Sequence, residues 1–373
     1  MTALPSTRRS APTWQRPAVV LGIILAGSLL IKIALMVHLD GRVYGDVLRS
    51  VDFGLGLETG LISIRTHVDH TKSFLGPLLS TALYHLGGVW AIKLYNLAAF
   101  ACLFLTMSRI GRDRYEKPVI LVALFLFAFY AGGHRNVAAG EVEDNTASLL
   151  FALGMLLYLR TRRVLPASLL LGLALLVKFW IAIFLLGFGL FLLVHRRWRE
   201  ASGAALGSAL PFLVITLIDR GATLRSLLLT VERQQGNSDW PMIAFRMLST
   251  GLLLAIPVSA WTVVRRPGET NKLFFYLLAT YLVYVLVFRD AYAITFVMML
   301  CLVFAGFLIA QFLLDSKLVG AAPRTGGARL ALVLGSFLIA GAGIAWQNLH
   351  RDTHPFRVHP GKGATPVGVL IRR

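Results

Sequence analysis

Long apolar segments separated by short polar ones follow one another along almost the whole chain. A helix that crosses a bilayer needs about 17 to 25 mostly apolar residues. The segments that reach or approach this length are residues 18–38, 89–108, 118–132, 146–159, 165–177, 180–195, 202–218, 243–264, 272–288, 291–314 and 330–346. The pattern therefore predicts an all-α polytopic membrane protein with about 11 transmembrane helices, folded as one integral membrane domain over residues 1–373.

The composition narrows the class further. Hydrophobic residues make up 57% of the 373 residues, charged residues make up 15%, and the mean hydropathy is +0.71. These values exclude an ordinary soluble domain. Cys102 and Cys301 both lie inside predicted helices, so we expect packing residues rather than a disulfide framework.

The net charge of +19 is concentrated in basic clusters that occupy alternate loops. Cytoplasmic loops carry such an excess of Lys and Arg, which predicts a cytoplasmic N-terminus and a multi-pass protein of the cell's inner membrane. The alternation requires that residues 76–88 form a surface or re-entrant helix rather than a span. On this topology 13 of the 18 acidic residues face outward. Lipid headgroups explain the basic clusters, so we expect no nucleic acid partner.

The longest polar stretch lies between the first two apolar segments and contains five acids. They are Asp40, Asp46, Asp52, Glu58 and Asp69. A long loop in a compact architecture is usually functional or disordered, and this one carries too many apolar residues to be disordered. We expect an outward catalytic loop with one or two short amphipathic surface helices over residues 39–88, and a polar outward tail over residues 347–373.

A second outward loop places three acids in front of the predicted helix 146–159. Asp144 is a further candidate catalytic residue, and Glu141 and Glu143 are candidates for binding the acceptor. An alternative role for Asp144 is electrostatic, because acids favour a helix N-terminus that Asn145 or Thr146 would cap.

Several cations fall on the same predicted side as these acids. Arg and Lys bind phosphate through charge and hydrogen bonds, so we expect a donor phosphate site built from Lys178, Lys72, Arg225, Arg233 and Arg289. Lys178 ends an apolar helix beside Trp180, and the alternative is a lysine that only extends to the membrane interface.

The sequence HVDH is a possible metal site. Its ligands would be His67, Asp69 and His70. A transition metal would favour the imidazoles, and a hard divalent ion would prefer carboxylate oxygens. The alternative is a set of surface residues on an interfacial helix.

These outward loops carry a family resemblance in their order and spacing. The first span runs into Asp40-Gly41-Arg42-Val43-Tyr44, which resembles a D-E-x-x-Y motif with Gly41 in place of the Glu. GEVEDNTASLLF and LLLGLALLVKFW resemble a second acidic loop and a Gly-rich helix that ends in Lys. Together they are similar to the GT-C superfamily of polyprenyl-phosphate-sugar-dependent glycosyltransferases, near the protein mannosyltransferases and lipid A aminoarabinose transferases.

The resemblance implies a polyprenyl-phosphate-linked sugar donor and a glycan, lipid or protein acceptor outside the membrane. It places Asp40 in the role of catalytic base and matches Asp144 and Lys178 to the superfamily's Asp and Lys. Such a reaction needs a base near 3 Å from the acceptor hydroxyl and cations or a divalent metal at the departing phosphate. If Asp40 and Asp46 shared one helix, they would lie about 120° apart around it, so only one would meet the acceptor.

Two other classes of function remain open at this stage. A transporter or flippase would line a path with charges at mid-membrane and contain repeated halves, and no repeat is present. A membrane acyltransferase or ligase would need a nucleophile or a His inside a helix, and His38 and His85 are the near candidates.

Overall fold

The computed structural model describes residues 17–63, 67–68, 75–234, 239–249, 252–289, 298–316, 353–355, 357, 359 and 365–366. Helices account for nearly all of these residues, which confirms the predicted all-α class. The helices are α1 (Pro17–Leu39), α2 (Gly45–Glu58), α3 (Leu75–Arg114), α4 (Lys117–Ala128), α5 (Ala131–Ala138), α6 (Val142–Thr161), α7 (Val164–Val177), α8 (Ile181–Val194), α9 (Trp198–Ile218), α10 (Ala222–Gln234), α11 (Trp240–Ser249), α12 (Leu252–Arg265), α13 (Glu269–Phe288) and α14 (Met298–Asp315). The short strands are β1 (Arg42–Tyr44), β2 (His67–Val68), β3 (Thr353–Pro355) and β4 (Thr365–Pro366).

Five of the described helices are long and apolar enough to cross a membrane. They are α1, α3, α6, α9 and α13. The predicted span 243–264 consists of two helices, α11 and α12, which are bent by 62° against each other. If this pair is counted as one span, the described residues contain six candidate membrane spans. Helices α4, α7 and α8 are apolar but shorter, and the predicted span 330–346 lies outside the described residues.

Helix α3 is broken where the sequence separates the predicted surface helix 76–88 from the span 89–108. It has 40 residues, about 60 Å at 1.5 Å per residue, which is twice the thickness of the bilayer's apolar core. Gly87 and Gly88 leave the helical conformation, and Gly88 has a φ of 61°. A left-handed backbone costs glycine little because it has no Cβ, so the chain changes direction at this point.

Small residues allow α6, α7 and α9 to pack closely. A Cβ added at Gly154 of α6 would lie 2.7 Å from Leu171 Cδ2 of α7. One added at Gly172 of α7 would lie 2.5 Å from the Ser208 carbonyl oxygen of α9. Membrane helices associate through such close backbone approaches because lipid supplies no hydrophobic drive.

Between α1 and α3, the predicted loop region 39–88 contains one described amphipathic helix, α2, which packs against the first part of α3. A Cβ at Gly54 would overlap the Thr81 side chain, so the two helices are in direct contact. Strand β1 pairs antiparallel with β3, and β2 pairs antiparallel with β4. The backbone N–H of His359 also donates to Asp52 Oδ1 of α2 at 2.6 Å. The described residues after 352 therefore lie against the segment between α1 and α3.

Ion pairs collect at the opposite end of α6 from its acidic first turn. Arg162 and Arg197 both contact Glu269 of α13, and Arg197 also contacts Glu200. Arg160 pairs with Asp113, and Arg266 pairs with Asp315. These pairs are partly or largely exposed to solvent, where each contributes about 0 to 1 kcal/mol.

We expect Gly172→Ala to lower the thermal stability of the protein. Alanine normally stabilises a helix interior by about 0.5–1 kcal/mol over glycine, but here its Cβ meets backbone of α9, and overpacking costs about 1–3 kcal/mol. Gly189→Ala in α8 is the matched control, because nothing lies within 4 Å of its added Cβ. Thermal unfolding in detergent should show a lower midpoint for Gly172→Ala alone. Equal midpoints would mean that α7 and α9 are not in close contact.

Candidate active site

A buried lysine lies at the centre of the polar residues at the end of the bundle where α6 begins and α7 ends. Lys178 follows the last residue of α7 in an extended conformation, and its side chain is 5% exposed. Its Nζ lies 2.9 Å from Asp144 Oδ1 and 3.6 Å from Glu141 Oε1. The structure thus brings together two acids of the second predicted loop and the lysine that ends a later apolar helix.

The acids reach this lysine because α6 begins earlier than the sequence indicated. Glu141 is the N-cap residue, and Glu143 and Asp144 lie in the first turn. Gly140 has a φ of 81°, which turns the chain into the helix. The predicted capping by Asn145 or Thr146 is wrong, because both lie inside α6: Asn145 Nδ2 donates to the Glu141 carbonyl oxygen, and Thr146 pairs with the Tyr95 hydroxyl.

Glu143 connects α6 to the two surface segments above it. Its Oε1 accepts hydrogen bonds from Ser50 Oγ of α2 at 2.6 Å and from Ser80 Oγ of α3 at 3.4 Å. Gly76 in the first turn of α3 leaves no room for a Cβ, which would lie 2.8 Å from Glu143 Cγ and 3.3 Å from the Val177 carbonyl oxygen. The glutamate is fully buried, so it holds α2 and α3 directly over the end of α7.

Asp46 lies at the edge of this cluster and is accessible to solvent. It is in the first turn of α2, its side chain is 34% exposed, and its carboxylate lies 3.9 Å from Arg49. Its charge also acts on Glu141, Asp144 and Lys178. Asp46 therefore connects the first acidic loop electrostatically to the charged residues around Lys178.

Asp40 stands apart in the turn that ends α1. It is exposed and has a φ of 28°, and Gly41 follows with a φ of 65°. Strand β1 separates Asp40 from α2, so the two aspartates do not share a helix and the 120° relation does not apply. A bond from Tyr44 N to the Ala139 carbonyl oxygen, 3.2 Å long, attaches β1 to the turn before Glu141. The first acidic loop thus lies beside the second.

Burial sets the protonation of the cluster. It raises the pKa of Glu141 to about 8, against the opposing effect of Lys178. Burial also works against the charge of Lys178, but the neighbouring carboxylates, Asp144 first, outweigh it and raise the pKa of the ammonium above its usual value. Near neutral pH the cluster therefore holds a charged lysine, and Glu141 retains its proton.

The other predicted site residues are dispersed or undescribed. Arg225 is half-buried in α10, and Arg289 is exposed at the end of α13. Asp69, His70 and Lys72 lie outside the described residues, as do the side chains of His67 and Arg233. Among the residues that the structure describes, no group of three or more His, Cys, Asp or Glu side chains is arranged to bind a metal ion.

Two kinds of site residue were missed from the sequence. Ser50 and Ser80 carry no motif, and only the tertiary contact with Glu143 identifies them. Lys93 is fully buried in α3 and donates to the Met36 carbonyl oxygen at 3.3 Å. The sequence does mark Lys93 as unusual, because it is a charged residue near the start of an apolar span, where burying a charge is costly.

Comparison with known proteins agrees with this architecture. The model of Glycosyltransferase family 87 matches residues 74–310. ArnT from Cupriavidus metallidurans, solved bound to undecaprenyl phosphate, is 14% identical with a TM-score of 0.62 over 88% of this chain and 65% of ArnT. The Archaeoglobus fulgidus oligosaccharyltransferase in its apo form is 13% identical with a TM-score of 0.58 over 90% of this chain and 57% of that protein.

The chain spans less than two thirds of the length of each of these structures. At these identities the likeness concerns the fold, and it confirms the predicted GT-C-like architecture. No curated protein matches the sequence.

We expect Glu141→Gln to remove a pH dependence of stability. The pKa of Glu141 is about 8 in the folded protein and 4.5 ordinarily. Between these values the folded protein holds a proton that the unfolded chain has lost, so stability falls as pH rises through this window and levels off above it. Thermal midpoints from about pH 5 to about pH 9 should decline less in Glu141→Gln. The exposed Glu58→Gln variant is the control, and an unchanged slope in Glu141→Gln would contradict the assignment.

Proposed function

The chain belongs to glycosyltransferase family 87, and from this membership we propose that it moves a sugar from a polyprenyl-phosphate donor to a lipid, glycan or protein acceptor. It is a multi-pass membrane glycosyltransferase. In the proposal it acts on the extracytoplasmic side of the inner membrane, with its N-terminus in the cytoplasm and residues 1–373 forming one domain.

The observation that carries the proposal is the gathering of acids and a lysine where the first two outward loops meet, above apolar helices. A glycosyl transfer from a lipid phosphate needs a base and a cation at the membrane surface. Support for the donor class comes from ArnT, which shares the fold and was solved bound to undecaprenyl phosphate.

Asp40 is the proposed catalytic base. It is exposed at the end of α1, where an acceptor hydroxyl arriving from outside and a lipid headgroup would meet. Asp46 and Asp144 are the other acids of the proposed centre. Asp46 is partly exposed and Asp144 is bound to Lys178, so these two are better placed to orient neighbouring groups than to accept a proton.

Lys178 is the central cation of the proposed phosphate site. An ammonium has three N–H donors, and among the described residues only Asp144 lies within hydrogen-bond distance of Nζ, since Glu141 is 3.6 Å away. Donors therefore remain for phosphate oxygens. The proton on Glu141 reduces the negative charge that a phosphate would meet. Arg225, Arg233, Arg289 and Lys72 complete the proposed set of phosphate ligands.

Glu141 and Glu143 were predicted as acceptor ligands, and their burial suggests a more indirect role. Glu143 is fully buried and holds Ser50 and Ser80. We propose that it fixes the surface helices that an acceptor would touch.

The test compares membrane lipids and glycans from three strains. They are the deletion strain alone, the deletion strain complemented with the wild-type gene, and the deletion strain complemented with the Asp40→Asn variant. One glycosylated species should be missing without the gene and return with the wild type. An unchanged set of glycosylated species in the deletion strain would contradict the proposed transfer.

We expect Asp40→Asn to lower kcat by about 10²- to 10⁴-fold, the usual contribution of a general base. Asparagine keeps the size of the side chain but cannot take the proton, so donor binding and expression should stay near normal. Asp46→Asn should cost less, and Glu58→Gln, which only removes an exposed pair with His85, should be active. These changes in kcat are measured by steady-state kinetics with the substrates that the strain comparison identifies. A fully active Asp40→Asn enzyme, or a larger loss in Asp46→Asn, would move the base elsewhere.

We expect reporter fusions after Arg114 and after Asp144 to report opposite sides of the membrane. The basic clusters predict a cytoplasmic end of α3, and the predicted span 118–132, which begins within α4, would cross before the second acidic loop. A phosphatase reporter should be active only after Asp144, and a cytoplasmic fluorescent reporter should be active only after Arg114. The same side for both fusions would separate the acids of the proposed centre from one another.

A further inference from the structure

Lys93 is a buried lysine beside the proposed base, with few contacts of its own. The side chain has no exposed surface. Among the described residues its Nζ donates to the Met36 carbonyl oxygen at 3.3 Å and lies 5.3 Å from the centre of the Trp90 ring. Asp40 is the carboxylate whose charge acts on it.

The contact with Met36 places the lysine at the C-terminus of α1. The last four carbonyl groups of a helix have no partner within the helix, and Met36 contributes one of them because α1 ends at Leu39. A cation is favourable at this end, where the helix dipole is negative. Lys93 therefore caps α1 from α3 and fixes the end of the helix relative to its neighbour.

Asp40 begins the turn that leaves this helix end. Its backbone N–H bonds to the Val37 carbonyl oxygen at 3.1 Å, one residue beyond the carbonyl that Lys93 contacts. Asp40 and Gly41 both have positive φ values, a conformation that non-glycine residues adopt at a cost and that persists where surrounding structure holds it. Lys93 also lies next to Gly140, whose added Cβ would be 4.0 Å from Lys93 Cγ. The lysine thus contacts the helix end before Asp40 and lies next to the turn before Glu141.

We propose that Lys93 is a positioning residue for Asp40: it fixes the end of α1 through the Met36 carbonyl, and its charge acts on the carboxylate from there. This inference rests on the proposed function, since it assumes that Asp40 is the base. It assigns a catalytic consequence to a lysine that lies outside the Lys178 cluster.

The test is a double-mutant cycle of Lys93→Met with Asp40→Asn in the purified enzyme. Methionine is close to lysine in length and shape but has no charge or donor. Because a misplacement of about 1 Å can cost about 10²-fold, Lys93→Met alone should lower kcat by roughly 10- to 100-fold, with donor KM unchanged within about twofold. In the Asp40→Asn background the same substitution should cost less than about twofold. Lys93→Arg, which restores the cation, should recover part of the loss.

A purely structural role gives a different result. If Lys93→Met lowers kcat by the same factor with and without Asp40, the inference is wrong. If Lys93→Met does not fold, Lys93→Gln, which removes the charge but keeps a donor for Met36, takes its place in the same cycle. Its smaller loss in kcat must still disappear in the Asp40→Asn background, and an equal loss in both backgrounds refutes the inference. Full activity of Asp40→Asn would instead overturn the proposed base itself, so the two failures are distinguishable.

Lys32 provides the matched control. It is also a fully buried lysine in the outer half of α1, but its Nζ contacts Ser28 Oγ at 2.8 Å, the Ala128 carbonyl oxygen at 3.1 Å and His134 Nδ1 at 3.1 Å. Lys32→Met should lower thermal stability. Any loss in kcat that it causes should be the same in the wild-type and the Asp40→Asn backgrounds. Equal coupling of both lysines to Asp40 would refute a specific role for Lys93.

Discussion

The burial of charge at the start of α6 constrains everything around it. An ion removed from water costs several kcal/mol unless it is paired and hydrogen-bonded. Asp144 meets this requirement through Lys178 at 2.9 Å, and Glu143 through Ser50 and Ser80. Each partner comes from a different element, so α2, α3 and the α7–α8 junction must all converge on one turn of α6. Gly76 is needed for the same reason, because a side chain there would collide with Glu143.

The two ends of the bundle use charge in different ways. At the end that carries Arg162, Arg197 and Glu269, the ion pairs are partly exposed and share partners, so exchanging one pair would alter stability little. At the other end Lys178 and Asp144 are almost fully buried. Removing one partner there would leave an uncompensated charge, which typically costs about 3–5 kcal/mol. The first end holds helices together, whereas the second end specifies a single arrangement of buried charged side chains.

The sequence predicted the helical class and the surface helix of the first loop, because apolar runs and their polar interruptions depend only on local order. It misplaced the start of α6, since Glu143 and Asp144 were read as loop residues on account of their charge. Lys178, about 35 residues away, compensates the charge of Asp144, and Ser50 and Ser80 bind Glu143. No local pattern contains this information. Ser50, Ser80 and Lys93 were missed for the same reason: each acquires its role through a contact with a distant element.

The pairing of β1 with β3 has a consequence for the order in which the protein is made. His359 and Asp52, which lie in the same region, are 307 residues apart. A ribosome adds about 5–20 residues per second, so the segment that carries β1 waits roughly 15 to 60 seconds for the strand that will pair with it. During this interval the edge of β1 has no strand partner in β3, and an unpaired edge attracts other extended chains. The short length of β1, three residues, limits that exposure.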